Sequence, residues 1–160
     1  MLAVIKVRGS NKTEPGIRMA FKELRLNKNN HLVLVDESQI GQIRKAKDYV
    51  TWGEIDEEHL VKLLHERGRI TGNKPLDESF LKERGFASLN DLASKLLDGS
   101  IKVRDIESMK PVFRMNPPRR GYHSTKRTFN LKGALGYRGK DINKLIDAML
   151  EGGKNGQGEN

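Results

Sequence analysis

The sequence predicts a mixed α/β (α+β) fold: a small three-stranded sheet in β-α-β-α-β order with its helices on one face, then a mainly helical extension carrying a long basic loop. Three observations predict it. Short apolar, β-branched runs recur three times in the first 55 residues, stretches of helical periodicity separate them, and leucines at helical spacing dominate the section that follows.

The run Leu2 to Arg8 stops at Gly9, Ser10 and Asn11, as a buried strand entering a turn would. Thr13 is placed to cap a helix with Glu14 and Pro15 in its first turn, and Ile17, Phe21 and Leu24 make its apolar face. After the polar stretch Asn27 to Asn30, the residues His31 to Val35 are too few and too β-branched for a helix and read as the second strand. Ser38 opens a weaker helix with Ile40 and Ile43 inward, and Tyr49 to Trp52 supplies the third strand, ending at Gly53. Two helices with one apolar stripe each leave the other sheet face open for a partner, either the rest of the chain or RNA.

Asp56, Glu57 and Glu58 suit a helix N-terminus, Leu60, Leu63 and Leu64 form its stripe, and Gly68 suits its C-terminal cap. A short helix follows from Asp77 to Gly85. Ser88 with Asp91 resembles a capping box ahead of Leu89, Leu92, Leu96 and Leu97, and Gly99 ends that helix. The runs Ile101 to Val103 and Val112 to Met115 alternate like short strands. Asp141 caps a last helix bearing Ile142, Leu145, Ile146, Met149 and Leu150, and the glycine-rich tail beyond it reads as flexible. The expected division is a core over 1–55, an extension over 56–152 with the basic loop at 111–140, and a tail over 153–160.

The chain of 160 residues carries 30 Lys and Arg against 21 Asp and Glu, a formal net charge of +9, which favours a polyanionic partner. Its distribution is sharper than its total: residues 111–140 hold eight basic side chains and no acidic one, while residues 51–110 are slightly acidic. There is no cysteine, which removes disulfides and thiolate metal sites. No early apolar run resembles a signal peptide or a membrane span, so the expectation is a soluble, cytoplasmic protein with no membrane partner.

The 111–140 segment suits structured RNA. Arg114, Arg119, Arg120, Lys126, Arg127, Lys132, Arg138 and Lys140 can meet phosphates, Tyr122 can stack on an unpaired base, and the glycines let a backbone come close. Phe113, Tyr122, Phe129 and Tyr137 are four of the nine aromatics, which distinguishes the segment from an idle solvated charge run. Asn11 and Lys12, beside Arg8, fit either a phosphate contact or a plain turn.

Catalytic motifs find no seat. His59 and His65 are six apart, not the i,i+4 spacing of helical metal ligands; no phosphate-cradling Gly-Lys-Ser/Thr loop occurs; and the adjacency of His123 and Ser124 does not make a base and a nucleophile. No cofactor and no small-molecule substrate is expected. Trp52, closing a strand, reads as core.

The start Val4 to Gly9, the run His31 to Val35, the block Met115-Asn116-Pro117-Pro118-Arg119-Arg120-Gly121, the glycines to Gly139 and the helix Ile142 to Met149 together resemble the large-subunit ribosomal protein family numbered thirty in bacteria and seven in eukaryotes, in its longer archaeal form. The resemblance covers nearly the whole chain. It implies a non-catalytic constituent of the large ribosomal subunit that touches large-subunit rRNA near five-S rRNA and neighbours other large-subunit proteins. It implies contacts at Arg8, Lys12, Arg119, Arg120, Lys126, Arg127, Lys132 and Arg138. Relatives commonly show Pro-Pro-Arg-Gly-Gly where this chain has Arg120 in the fourth place, and the turn before the second helix is shorter here. A transient rRNA-binding assembly factor would share the same composition.

Overall fold

Strand β1 (Leu2–Lys6) is buried along its whole length, so it needs cover on both faces. A computed structural model, which describes residues 1–9 and 11–152, supplies that cover. The flexible tail expected over 153–160 lies outside the described residues.

Helix α1 (Pro15–Leu24) follows β1, then β2 (His31–Val35), a 3-10 turn at Glu37–Gln39, α2 (Ile40–Lys45) and β3 (Val50–Glu54). Side chains alternate along the strands as the pleat requires. Leu2, Val4, Val33 and Val35 pack with Phe21, Leu24 and Ile43 of α1 and α2, while Ala3, Ile5 and Leu32 face the other way. Two helix starts differ from expectation. The N-cap of α1 falls on Glu14, because Pro15 takes the first helical position where its missing N–H costs nothing. Asp36, not Ser38, caps the next turn, its carboxylate accepting from the Ser38 N–H.

The face left open by α1 and α2 is covered by the rest of the chain. Helix α3 (Glu57–Arg67) leads to a short hairpin of two-residue strands, β4 (Arg69–Ile70) and β5 (Lys74–Pro75), then α4 (Glu78–Glu83) and α5 (Leu89–Leu97). Leu60, Leu63, Leu64, Leu92 and Leu96 are fully or almost fully buried in one cluster with Ile5 and Leu32, each side chain contributing about 1.5–3 kcal/mol of burial. The caps follow the sequence: Asp56 accepts from His59 N–H, Asp77 from Phe80 N–H, and Ser88 from Asp91 N–H, with Asp91 reaching back to the Ala87 N–H. Gly68 closes α3 without a left-handed turn, at φ −64°. Its glycine is needed for space, since a Cβ would lie 2.4 Å from the Leu64 carbonyl oxygen.

Two expectations about the extension are corrected. Ile101–Val103 forms no strand; a 3-10 turn at Val103–Asp105 buries Val103 and Ile106 instead. The 111–140 segment is not a long loop either. Besides the strand expected at Val112 to Met115, which is β6 (Val112–Arg114), it contains β7 (Ser124–Thr128) and β8 (Gly133–Tyr137), and all three join the first three strands in one sheet of order β6-β2-β1-β3-β8-β7. The local sequence hides this because the pairing is long-range: β8 lies parallel to β3, with Thr51 opposite Gly136. The ladder of β7 on β8 is parallel and irregular, as expected when only residues 129–132 connect them and a regular parallel crossover takes about a dozen.

Helix α6 (Ile142–Gly152) closes the second layer. It passes so close to β3 that a Cβ on Gly53 would meet the Gly139 carbonyl oxygen at 2.0 Å and Ile142 Cβ at 2.9 Å. The buried Asn143 fixes this junction: its amide donates to the Glu54 and Lys140 carbonyls and its oxygen accepts from the Asp56 N–H.

Candidate nucleic-acid interface

The edge strand β7 has the sequence Ser124-Thr125-Lys126-Arg127-Thr128, and every residue in it is exposed. An uncovered edge normally invites another strand, and charged side chains on it prevent that pairing. Lys126 and Arg127 serve this end and also present cations to solvent. The strand is mounted tightly: a Cβ on Gly133 of β8 would lie 2.0 Å from the Arg127 carbonyl oxygen, so only glycine permits the approach.

Arg119, Tyr122, His123, Phe129, Arg138 and Lys144 line a groove between the segment before β7, the turn after it and α6. The Arg119 N–H donates to the Ala148 carbonyl at 2.9 Å, tying this segment to α6, and its guanidinium lies 3.8 Å from Glu151. Residues Pro118 to Gly121 form a β-turn closed by the Gly121 N–H on the Pro118 carbonyl. Arg120 sits in its third position at φ 66°, exposed.

Tyr122 and Arg138 face inward more than outward. Tyr122 packs against Val7, Ala134 and Leu135 and donates to Asn30 Oδ1; burial pushes its phenol up to about 12, against a lesser opposite pull from Arg138. Arg138 donates from Nε to Thr51 Oγ1 at 2.7 Å and from Nη2 to the Ala134 carbonyl at 2.9 Å, and its guanidinium lies 5.0 Å from the Phe129 ring centroid. Burial draws its pKa below the ordinary arginine value, while Tyr122 and Asp141 oppose that shift. Both residues therefore brace the segment.

The remaining candidates divide between the two ends of the sheet, with Arg8, Lys12 and Lys132 where β1 finishes and β8 begins and Lys140 past the finish of β8. Arg8 follows β1, donates to the Asp48 carbonyl and covers the Tyr49 ring at 5.2 Å. Lys12 and Lys132 are exposed at φ 63° and 62° in tight turns, and Lys140 is exposed beside α6. Arg114 lies apart on β6, opposite His31, at the far edge of the sheet from β7. There it meets Arg67, Arg69 and Lys110, which sequence reasoning does not single out because they fall in the slightly acidic middle of the chain.

His59 has another part. Its ring lies 2.6 Å from Asp56 and 2.8 Å from Asp147, linking α3 to α6. Among the described residues no group of three or more His, Cys, Asp or Glu side chains is placed to hold a metal ion, and no helix is long and apolar enough to cross a membrane.

A family model described as ribosomal protein L30p/L7e matches residues 2–50. Over its length the chain is similar to proteins named large ribosomal subunit protein uL30. That of Methanocorpusculum labreanum is 47% identical over 152 residues, covering 93% of this chain and 99% of the relative. That of Thermoplasma volcanium is 47% identical with all of both chains covered, and that of Methanococcus vannielii is 48% identical, covering 92% and 98%.

Proposed function

The chain belongs to the ribosomal protein L30p/L7e family, and from that premise we propose that it is held in the large subunit by large-subunit rRNA, near five-S rRNA, through the basic surface of residues 111–140. It is a structural ribosomal protein and not an enzyme. The observation that carries the rRNA reading is the exposed, acid-free strand β7, rigidly mounted beside a groove that combines Arg119, Tyr122 and Phe129.

In this reading Lys126, Arg127, Arg119 and Arg120 take phosphates directly, with Lys132 and Lys140 beyond the ends of β8 and with Arg8 and Lys12 beyond β1. Arg114 lies apart from these, at the other edge of the sheet. Arg138 and Tyr122 hold the segment in shape, and the edge of the Tyr122 ring stays available to a base in the groove. Residues 1–55 form the core and 56–152 the extension; the match of the family model to 2–50 supports that division. Neighbouring large-subunit proteins complete the environment.

The test is the amount of the protein in mature large subunits after a high-salt gradient wash, compared with precursor particles. One copy per mature subunit supports a resident constituent. Recovery only from precursors or from the soluble fraction would replace that reading with a transient assembly factor.

A further inference from the structure

We propose that the β6 edge of the sheet carries a second, separate cradle for RNA backbone phosphates, so that the protein clamps two stretches of rRNA. This rests on the rRNA-binding reading above and deepens it.

The cradle is a groove lined by Arg67, Arg69, Asn73, Lys110, Val112 and Arg114. Four of the six are cations and none is acidic. Bringing like charges together costs energy at every pair, and an anion seated among them reverses the sign. The groove is built by long-range structure. The Lys110 N–H donates to the Arg69 carbonyl at 2.9 Å, Thr71 N–H to the Ser108 carbonyl at 2.8 Å, Ile70 bridges Met109, and β6 pairs with β2. Arg69 is fixed on its wall by donating from Nη1 to the carbonyls of Glu66 and Gly68.

Two polar atoms here lack partners among the described residues. Arg67 Nε is buried with no acceptor, and Nδ1 of His31, the residue opposite Arg114, is buried with no hydrogen-bond partner. A buried guanidinium donor without an acceptor is costly, and an anion held nearby in the groove would offset part of that cost electrostatically. The local field agrees: burial, then Arg114, Lys28 and Lys6, all pull His31 below its usual pKa.

A nucleic-acid backbone fits better than a free nucleotide because no aromatic ring lines this groove, unlike the one beside β7. Six strands at about 4.8 Å spacing separate the two edges by roughly 24 Å, so the two sites take different stretches of backbone.

The experiment is hydroxyl-radical footprinting of a large-subunit rRNA transcript with the full chain. Arg69 is left in place because it caps α3. The wild type should protect two separate stretches; the variant R67Q/K110Q/R114Q should lose one and K126S/R127S the other. Thermal unfolding checks the fold of each, and Arg114→Glu, an exposed edge change, should weaken the same stretch if the triple variant does not fold. Full protection by R67Q/K110Q/R114Q and Arg114→Glu, with a loss from K126S/R127S, would overturn the second cradle and leave the first reading standing. Absence of any wild-type protection would remove both. Stabilisation of the wild type by inorganic phosphate, with an unchanged footprint in the variants, would assign the cradle to a free anion and also overturn the proposal.

Discussion

Tyr122 Oη donates a hydrogen bond to Asn30 Oδ1 at 2.6 Å, and this joins the middle of the basic segment to the turn that enters β2. Asn30 is a hub. Its N–H donates to the Lys6 carbonyl, its own carbonyl accepts from Met115 N–H, and its φ of 66° suits asparagine better than most residues. Tyr122→Phe keeps the ring packing against Val7 and Leu135 and removes only the bond. Urea unfolding should show a loss of about 1 kcal/mol, with the salt dependence of rRNA binding unchanged. No loss of stability would mean that this bond does not anchor the segment.

Arg120 occupies the left-handed region, at φ 66°, in the third position of its β-turn. That conformation costs a non-glycine residue roughly 1 kcal/mol or more, partly offset by the lower entropy of a non-glycine unfolded chain. Arg120→Gly should raise stability by up to about 1 kcal/mol and lower rRNA affinity. A variant that is less stable and binds equally well would contradict both the strain and the contact.

The clasp of His59 between Asp56 and Asp147 makes stability depend on pH. Burial disfavours the imidazolium, but hydrogen bonds to the two carboxylates outweigh it, and the net pKa is raised. A raised histidine pKa contributes stability that is complete below the unfolded value, about 6.5, and fades as pH rises through the folded pKa. Asp56 is lowered: burial opposes this, and bonds from the His59 backbone and ring overcome it, so its share fades as pH falls. His59→Gln should therefore cost more stability near pH 6 than near pH 9, measured as urea midpoints. Equal losses at both would show that the clasp works without charge.

Gly133→Ala would place a methyl against the Arg127 carbonyl oxygen and force β7 from β8. The expected cost is about 1–3 kcal/mol, with faster amide exchange across Ser124–Thr128 and weaker rRNA binding. Unaltered exchange would mean that β7 does not depend on this approach.

Where local chemistry decides, the sequence was a good guide. The strand His31–Val35, the caps at Asp56, Asp77 and Ser88, and the stripes of α3, α5 and α6 all follow from periodicity and capping residues. The strands β7 and β8 do not. Every residue of β7 is exposed, so it has no apolar alternation to betray it, and β8 becomes a strand through Thr51, whose hydroxyl donates to the Gly136 carbonyl 85 residues away. The charge of the interface was legible as an acid-free run. Its inward half was not, because Arg138 and Lys126 look alike in sequence and differ only in that Thr51, Ala134 and Phe129 surround the former. The cradle at Arg67, Arg69, Lys110 and Arg114 was invisible for a related reason: its members are distant in the chain and interspersed with acids.

The most direct test of the rRNA reading is the salt dependence of binding to a large-subunit rRNA transcript for the wild type and for the variant in which Arg119, Arg120, Lys126 and Arg127 are all serine. Each cation that neutralises a phosphate contributes about 0.7–0.9 to the slope of log K against log salt. The slope should fall by about 3 in the variant while the unfolding midpoint barely moves; an unchanged slope would mean that Arg119, Arg120, Lys126 and Arg127 do not meet the RNA backbone.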